Sequence, residues 1–264
     1  MTLKAIGLNC TLKSDPGKRS STDAMIGLIA SHLADHDVDL TEILRLSQFN
    51  ILPGVTSDEG LGDEWPDIRR KILDHDILIF GTPIWLGQPS SVAKRALERM
   101  DAFLGEADEA GRYPPFGKVA VVAVVGNEDG AHHVTAELFQ ALNDVGWTIP
   151  ANGACYWVGE AMQKTDFKDL AKVPDKVQGT AAMVARNAAH LARLGEDPLI
   201  ARADRPAHSH GAGRMSDHRS NIDRQSEELD RSLEVHSATS SERKRGKSRA
   251  TPTPIDRALQ GDAL

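Results

Sequence analysis

Apolar and polar positions divide residues 3–194 into alternating strand-like and helix-like runs. Residues 3–8 (LKAIGL) form a short apolar run, and residues 22–34 place Met25, Ile26, Leu28, Ile29 and Leu33 at helical spacing, with Ser21 or Thr22 as N-cap. Residues 38–46 (VDLTEILRL) alternate as a strand near a sheet edge does, and the Gly-, Pro- and Asp-rich stretch 53–62 reads as a loop. A helix over 65–73 carries Pro66 in its first turn, where a missing N–H costs little. There follow a buried strand at 76–81 (DILIFG), a helix at 90–103, a strand at 118–125 (KVAVVAVV), a helix at 131–145, a strand at 148–157 and a last helix at 177–194.

Five strands alternating with five helices predict βαβ crossovers and a parallel sheet covered on both faces. Right-handed crossovers leave few topologies, and the expected architecture is a flavodoxin-like three-layer α/β sandwich whose five-stranded parallel sheet has the order 2-1-3-4-5. In such sheets ligands bind beyond the carboxyl ends of the strands, at the switch point. The loops after the first, third and fourth strands are therefore the expected seat of function.

Beyond residue 198 the alternation stops. Residues 201–264 are rich in Arg, Ser, His and Asp, nearly free of large apolar side chains, and hold 12 Lys plus Arg against 10 Asp plus Glu. So little apolar surface does not offset the entropy of ordering. The expected division is a folded domain over 1–198 and a disordered tail over 199–264, with a transient helix at 222–233. The His-Ser-His at 208–210 and the basic run at 243–249 read as solvated features. The formal net charge of −7 argues against nucleic acid or an anionic membrane surface as the main partner. Two cysteines are too few for a disulfide framework and suit a reducing, cytoplasmic setting. The start of the chain lacks the pattern of a signal peptide, and no apolar run approaches the roughly 20 residues needed to span a bilayer.

The three loops differ in chemistry. Residues 9–22 (NCTLKSDPGKRSST) join hydroxyls and basic side chains to the free N–H groups of a helix N-terminus, which makes an anion site. A phosphate there can accept from Thr11, Ser20, Ser21 and Thr22, with Lys13 or Arg19 supplying charge; capping alone explains one hydroxyl and not three in succession. Neither G-x-x-x-x-G-K-[ST] nor G-x-G-x-x-G is present, which disfavours a P-loop nucleotidase and a dinucleotide-binding Rossmann domain. Cys10 raises the low-molecular-weight tyrosine phosphatases as a rival, but they need C-x5-R, and here the sixth residue after Cys10 is Pro16 and the first Arg is Arg19. A buried, unreactive Cys10 is the preferred reading.

The second loop, residues 82–89 (TPIWLGQP), holds Trp85 between Pro83 and Pro89, which restrict the backbone, while Gly87 permits close approach of a ligand. Trp85 thus reads as a flat wall on a stiff loop and not as a core residue. In the third loop, residues 125–133 (VGNEDGAHH), Gly126 and Gly130 allow tight turns, Asn127 offers an amide and Asp129 can cap the next helix. His132 and His133 read as first-turn helix residues, one of them facing the pocket, and no metal-ligand set accompanies them. A phosphate cradle, a rigid flat wall and a polar edge together suit a phosphorylated planar ligand, for which FMN is the candidate.

With these residues in place the sequence resembles the flavodoxin-like NAD(P)H-dependent FMN reductase and quinone oxidoreductase superfamily, over residues 3–194. The most specific parts are TPIWLGQPSSVAKRALERMD and GNEDGAHH. The first loop departs from the shorter S-x-R-x-x-[ST]-like arrangement of many members. The resemblance implies non-covalent FMN, NADPH or NADH as donor, a small-molecule flavin, quinone or similar acceptor, and a homodimer or homotetramer. It implies that Asn9, Thr11, Lys13, Ser20, Ser21 and Thr22 hold the phosphate and ribityl chain. Pro83, Ile84, Trp85, Leu86 and Gly87 would line the isoalloxazine and set N–H groups near its N5 and O4, and Gly126, Asn127, Asp129, Gly130 and His132 would close the pyrimidine side. Chemistry is then flavin-centred, with no side-chain acid or base required. The rival outside the enzymes is a one-electron flavodoxin carrier, which shields its flavin between two aromatic rings; the third loop carries no aromatic.

Overall fold

A computed structural model describes residues 2–161 and 164–195. The expected tail, its transient helix, the His-Ser-His and the basic run lie outside the described residues, as does the 198/199 boundary. The elements are β1 (Leu3–Asn9), α1 (Ser21–Ala34), β2 (Val38–Arg45), α2 (Trp65–Leu73), β3 (Ile77–Trp85), β4 (Gln88–Pro89), α3 (Ser91–Met100), β5 (Val119–Gly126), α4 (Ala131–Asp144), β6 (Ala154–Val158) and α5 (Asp175–Gly195). The parallel sheet runs β2-β1-β3-β5-β6, and the two-residue β4 pairs antiparallel with β3 outside that path. Without this short return arm the order is the expected 2-1-3-4-5.

Alternation along the strands divides the core in two. Leu78 and Phe80 join a cluster with Trp65 and Ile72 of α2, Ala96 and Met100 of α3, and Val134 and Leu138 of α4. Ile77 and Ile79 join the opposite cluster, with Met25, Ile26 and Ile29 of α1 and Ala181, Val184 and Ala188 of α5. This is why β5 (VAVVAVVG) is apolar at almost every position: both of its faces are covered.

Three elements differ from their sequence expectations. The third strand continues four residues past Gly81, through Pro83, which stands opposite Val125 of β5. Gly81 is the last β3 residue paired with β1, and Cys10 N–H reaches Gly81 O at 2.9 Å. Residues two apart send their amides to the same side of a strand. The missing N–H of Pro83 therefore faces the side where β1 has already ended and removes no ladder bond. The last strand is shorter than 148–157: Thr148 makes a single bridge to Val119, and the chain turns through Pro150 and Asn152 (φ 53°) before pairing resumes at Ala154. The N-cap of α1 is Ser20, not Ser21 or Thr22, its Oγ accepting from the N–H groups of Thr22 (3.1 Å) and Asp23 (3.5 Å).

The loop between β2 and α2 is held from inside by one ion pair. Arg99 of α3 and Asp63 have fully buried side chains, with Nη2 and Oδ2 2.7 Å apart as an ionic contact without hydrogen-bond alignment. Arg99 also donates to the carbonyls of Thr56 (3.0 Å) and Leu52 (2.9 Å), and the Asp63 carboxylate accepts from the N–H groups of Leu52, Glu59 and Trp65. Burial pushes the Asp63 pKa up, but the Arg99 guanidinium and these N–H donors outweigh it and hold it at about 2, from an ordinary 3.8. Because the unfolded chain binds this proton first, the Asp63 carboxylate with Arg99 and its three N–H donors contributes about 2 kcal/mol above pH 4, which is lost as the pH falls toward 2. Asp63→Asn leaves the guanidinium buried without a counter-charge, so urea unfolding at pH 7 should show a loss of about 3–5 kcal/mol. It should also lack this part of the wild-type acid transition; an unchanged midpoint would remove the pair from its structural role.

Candidate functional site

At the carboxyl ends of the strands lies a cavity of about 470 Å³, a size typical of small-molecule sites. It is built from four segments. The first leaves β1, where Asn9 stands opposite both Arg45 and Gly81. Asn9 is buried: Oδ1 accepts from Thr11 N–H at 2.9 Å and Nδ2 donates to Asp23 on the first turn of α1. Asp23 also pairs with Arg45, whose other nitrogen donates to the carbonyls of Asp15 (2.6 Å) and Lys18 (3.1 Å). Arg45 thus fixes the long polar loop from β2, and Ser47 and Gln48 add bonds to the carbonyls of Lys13 and Ser14. Thr11, Leu12, Lys13, Ser20, Ser21 and Thr22 line the cavity as a result.

The second segment is a two-residue hairpin. Trp85 pairs with Gln88 across Leu86 (φ 53°) and Gly87 (φ 74°), the two positive φ values of a type I′ turn. Ser90 fixes its base, donating through Oγ to Cys10 O at 2.6 Å and accepting from Ala93 N–H at the α3 N-cap. Trp85 is therefore the last residue of a strand, 53% exposed, and with Pro83, Ile84 and Leu86 it makes an apolar wall.

The third segment leaves β5. Gly126, Asn127 and Glu128 line the cavity, and Glu128 Oε1 accepts from Leu86 N–H at 2.5 Å. Asp129 does not cap α4. Its carboxylate accepts from the Gly130 N–H, and the N-cap position falls to Gly130 at φ 123°, a conformation that favours glycine. A Cβ on Gly130 would stand 2.8 Å from Gly87 Cα, so the loop and the hairpin tip meet backbone to backbone. His132 is turned outward onto the Tyr156 hydroxyl (2.9 Å), and His133 onto Glu137 (2.7 Å) and Gln88 (2.9 Å); neither lines the cavity.

The fourth segment follows β6. Trp157 packs on Phe167 with ring centroids 5.6 Å apart, and both line the cavity together with Ala161 and Asp166. Asp166 accepts from Asn127 Nδ2 (3.2 Å) and Lys168 Nζ (2.7 Å) and lies 3.9 Å from Lys13 Nζ. The Lys168 hydrogen bond, against some desolvation, holds the Asp166 carboxyl below its usual range, and the same contact raises Lys168. Lys168 N–H also donates to Ser21 Oγ at 3.4 Å, tying this segment to α1. Asn127 Oδ1 remains a buried acceptor with no partner among the described residues.

Of the sequence-predicted residues, Thr11, Lys13, Ser20, Ser21, Thr22, Pro83, Ile84, Trp85, Leu86, Gly126 and Asn127 come together at the cavity, while Asn9, Gly87, Asp129, Gly130, His132 and Arg19 fall outside its lining. Trp157, Asp166 and Phe167 escaped the sequence reading. The carboxyl-end rule applies to the last strand as well, and the aromatic at its end, followed by Asp-Phe-Lys-Asp at 166–169, was the available signal. Among the described residues no group of three or more His, Cys, Asp or Glu side chains is placed to hold a metal.

The profile described as NADPH-dependent FMN reductase matches residues 3–163. A Mycobacterium bovis protein named divalent metal cation transporter MntH is 32% identical over 224 residues, 81% of this chain and 32% of its own. The 8-demethyl-8-aminoriboflavin-5′-phosphate synthase of Streptomyces davaonensis is 34% identical over 170 residues, 61% of this chain and 65% of its own. The chain thus spans about a third of one curated relative and just under two thirds of the other. Among solved structures, RosB with the bound intermediate 8-demethyl-8-formylriboflavin-5′-phosphate is similar at 27% identity and a TM-score of 0.65, covering 82% of this chain and 93% of that one.

The phosphatase alternative meets a physical obstacle, since Cys10 is fully buried and burial pushes its thiol well above the usual range; Cys155 is pushed up to about 12. In the folded chain neither thiol should react with a disulfide reagent at pH 8 within minutes, and both should do so in denaturant. Rapid labelling of Cys10 in the native state would restore it as a nucleophile.

Proposed function

The chain belongs to the NADPH-dependent FMN reductase family, and from that premise we propose that its cavity binds FMN and passes hydride from NAD(P)H through it to a small flavin, quinone or similar acceptor. The observation that carries this reading is the polarity of the cavity. The α1 end offers the hydroxyls of Ser21 and Thr22, the helix N-terminus and Lys13, beside the Asp166–Phe167 segment tied to Ser21; the β3–β4 hairpin offers the apolar wall of Ile84 and Trp85. The first end suits a phosphate and the second a flat ring. Asn127 adds a polar group to the lining, its Nδ2 donating to Asp166 at 3.2 Å.

When bound, FMN supplies the hydride-accepting ring. The protein's part is to bind and orient. The α1 N-terminus and Lys13 would fix the phosphate, and the β3–β4 hairpin would set the plane of the ring. Assembly as a homodimer or homotetramer belongs to the same proposal.

A second reading is favoured by one finding. The structural relative holds a flavin derivative altered at its 8-position as an intermediate, and the matching curated relative is named for an 8-amino product. In this reading FMN is a substrate whose ring is modified. Mass spectrometry of the flavin recovered after turnover separates the two, since a reductase returns FMN of unchanged mass.

Purified chain with saturating FMN should oxidise NADPH or NADH in the presence of a quinone or free flavin; no oxidation with any such acceptor would overturn the reductase reading. Trp85→Ala should weaken FMN binding roughly tenfold. Because Trp85 is half exposed, the same change should shift the unfolding free energy of the FMN-free chain by only about 0.5 kcal/mol.

A further inference from the structure

Asp23 and Asp166 both stand at the polar end of the cavity, and each has a cation of its own. Asp166 is paired with Lys168 at 2.7 Å. Asp23 belongs to the first turn of α1, the helix end that would receive a phosphate. A carboxylate there takes up the positive end of the helix dipole and, without a counter-charge, competes with any other anion brought to it. Both Asp23 oxygens are engaged: one accepts from Asn9 Nδ2 at the end of β1, the other from Arg45 at the end of β2, whose side chain is only 11% exposed. The amides of the same turn are partly taken as well, since Ser20 Oγ accepts from the N–H groups of Thr22 and Asp23. What remains for a phosphate is the hydroxyls of Ser21 and Thr22, Lys13 and the charge balance of the turn.

We propose that Arg45 is a positioning residue for the FMN phosphate, cancelling the Asp23 carboxylate at the α1 N-terminus while it holds the β1–α1 loop. This rests on the FMN reading above and applies to either fate of the ring, since both need FMN bound. Arg45 does not line the cavity, so it acts through the groups it holds. Its planar guanidinium divides the work: Nη2 donates to Asp23 Oδ2, and Nη1 donates to the carbonyls of Asp15 (2.6 Å) and Lys18 (3.1 Å). Those two carbonyls lie on the stretch of loop between Lys13 and Ser20, which both line the cavity. A phosphate brought to α1 beside a bare carboxylate meets like-charge repulsion, stronger where water is excluded. With the guanidinium on Asp23 that charge is balanced, and the helix dipole and Lys13 are left to the phosphate. Arg45 therefore favours a flavin that carries a phosphate over one that does not, with no effect on the grip on the ring.

The test measures affinity and not turnover. The purified full chain and its variants are equilibrated by ultrafiltration, at neutral pH and low ionic strength, with FMN and separately with riboflavin, which has the same ring and ribityl chain and no phosphate. Wild type should bind FMN about tenfold or more tightly than riboflavin. Arg45→Gln should weaken FMN about tenfold and riboflavin no more than about twofold. Asp23→Asn removes the carboxylate charge and leaves Arg45 its carbonyl bonds, so it should tighten FMN about threefold with riboflavin unchanged. Added to Arg45→Gln, it should return FMN affinity to within about threefold of wild type. A residue that only held the loop would weaken both flavins alike and would not be rescued in this way. Equal wild-type affinity for the two flavins, equal losses of both in Arg45→Gln, or no gain in FMN affinity from Asp23→Asn would overturn the proposal while leaving a flavin as the ligand. The Asp23→Asn arm decides the matter by itself if Arg45→Gln fails to fold. Binding of neither flavin by wild type would overturn the FMN reading, and the proposal with it.

Discussion

Where α1 crosses β1 and β3 there is no room for a side chain, and the rest of the molecule is arranged around that contact. A Cβ on Gly81 would lie 2.7 Å from Ile26 Cδ1 and from Thr22 Cγ2, and one on Gly7 2.8 Å from Ile26 Cγ2. The helix therefore lies directly on the sheet backbone, with its first turn level with the point where β3 outruns β1. That height puts the N–H groups of α1 at the same mouth as the β3–β4 hairpin. A larger residue at position 81 would lift the helix and separate the polar end of the cavity from its apolar wall.

Charged side chains in this fold mostly hold loops. Arg45 ties Asp23 to the polar loop after β1, Arg99 ties Asp63 to the carbonyls of the loop before α2, and Lys168 ties Asp166 to the segment after β6. Each cation reaches a carboxylate and, in the first two cases, backbone carbonyl oxygens of the loop, which is how buried or half-buried charge is tolerated. Glu128 stands apart from this pattern: its carboxylate accepts from the Leu86 backbone amide.

One strained residue lies at the same place. Leu86 adopts a positive φ that a bulky residue reaches only at a cost, and it does so at 90% exposure with little packing to compensate. The two-residue turn and the Glu128 hydrogen bond impose that conformation, and the Gly87–Gly130 contact holds the tip against the β5–α4 loop. Strain kept at a cavity border and not relieved elsewhere fits a hairpin whose shape serves a ligand.

The chain's local chemistry determined a good deal by itself. The all-apolar β5, the Pro66-started α2 and the 3.6-residue spacing of α1 each follow from short-range pattern, and their alternation is enough to give the sheet order. The same pattern placed Thr11, Ser21, Ile84, Trp85 and Asn127 at one end of the sheet. Tertiary structure decided what local signals do not encode. Pro83 reads as a strand breaker until the side it faces is seen to lack a neighbour. Trp157 and Phe167 carry no local signal of a site, and the β6–α5 segment sets them in the cavity lining, with Asp166 bonding to the Asn127 amide. His132 reads as a pocket residue until Tyr156 turns it outward. In every such case the deciding partner is distant in sequence, and a side chain's role is set by which distant group satisfies its hydrogen bond or covers its apolar surface.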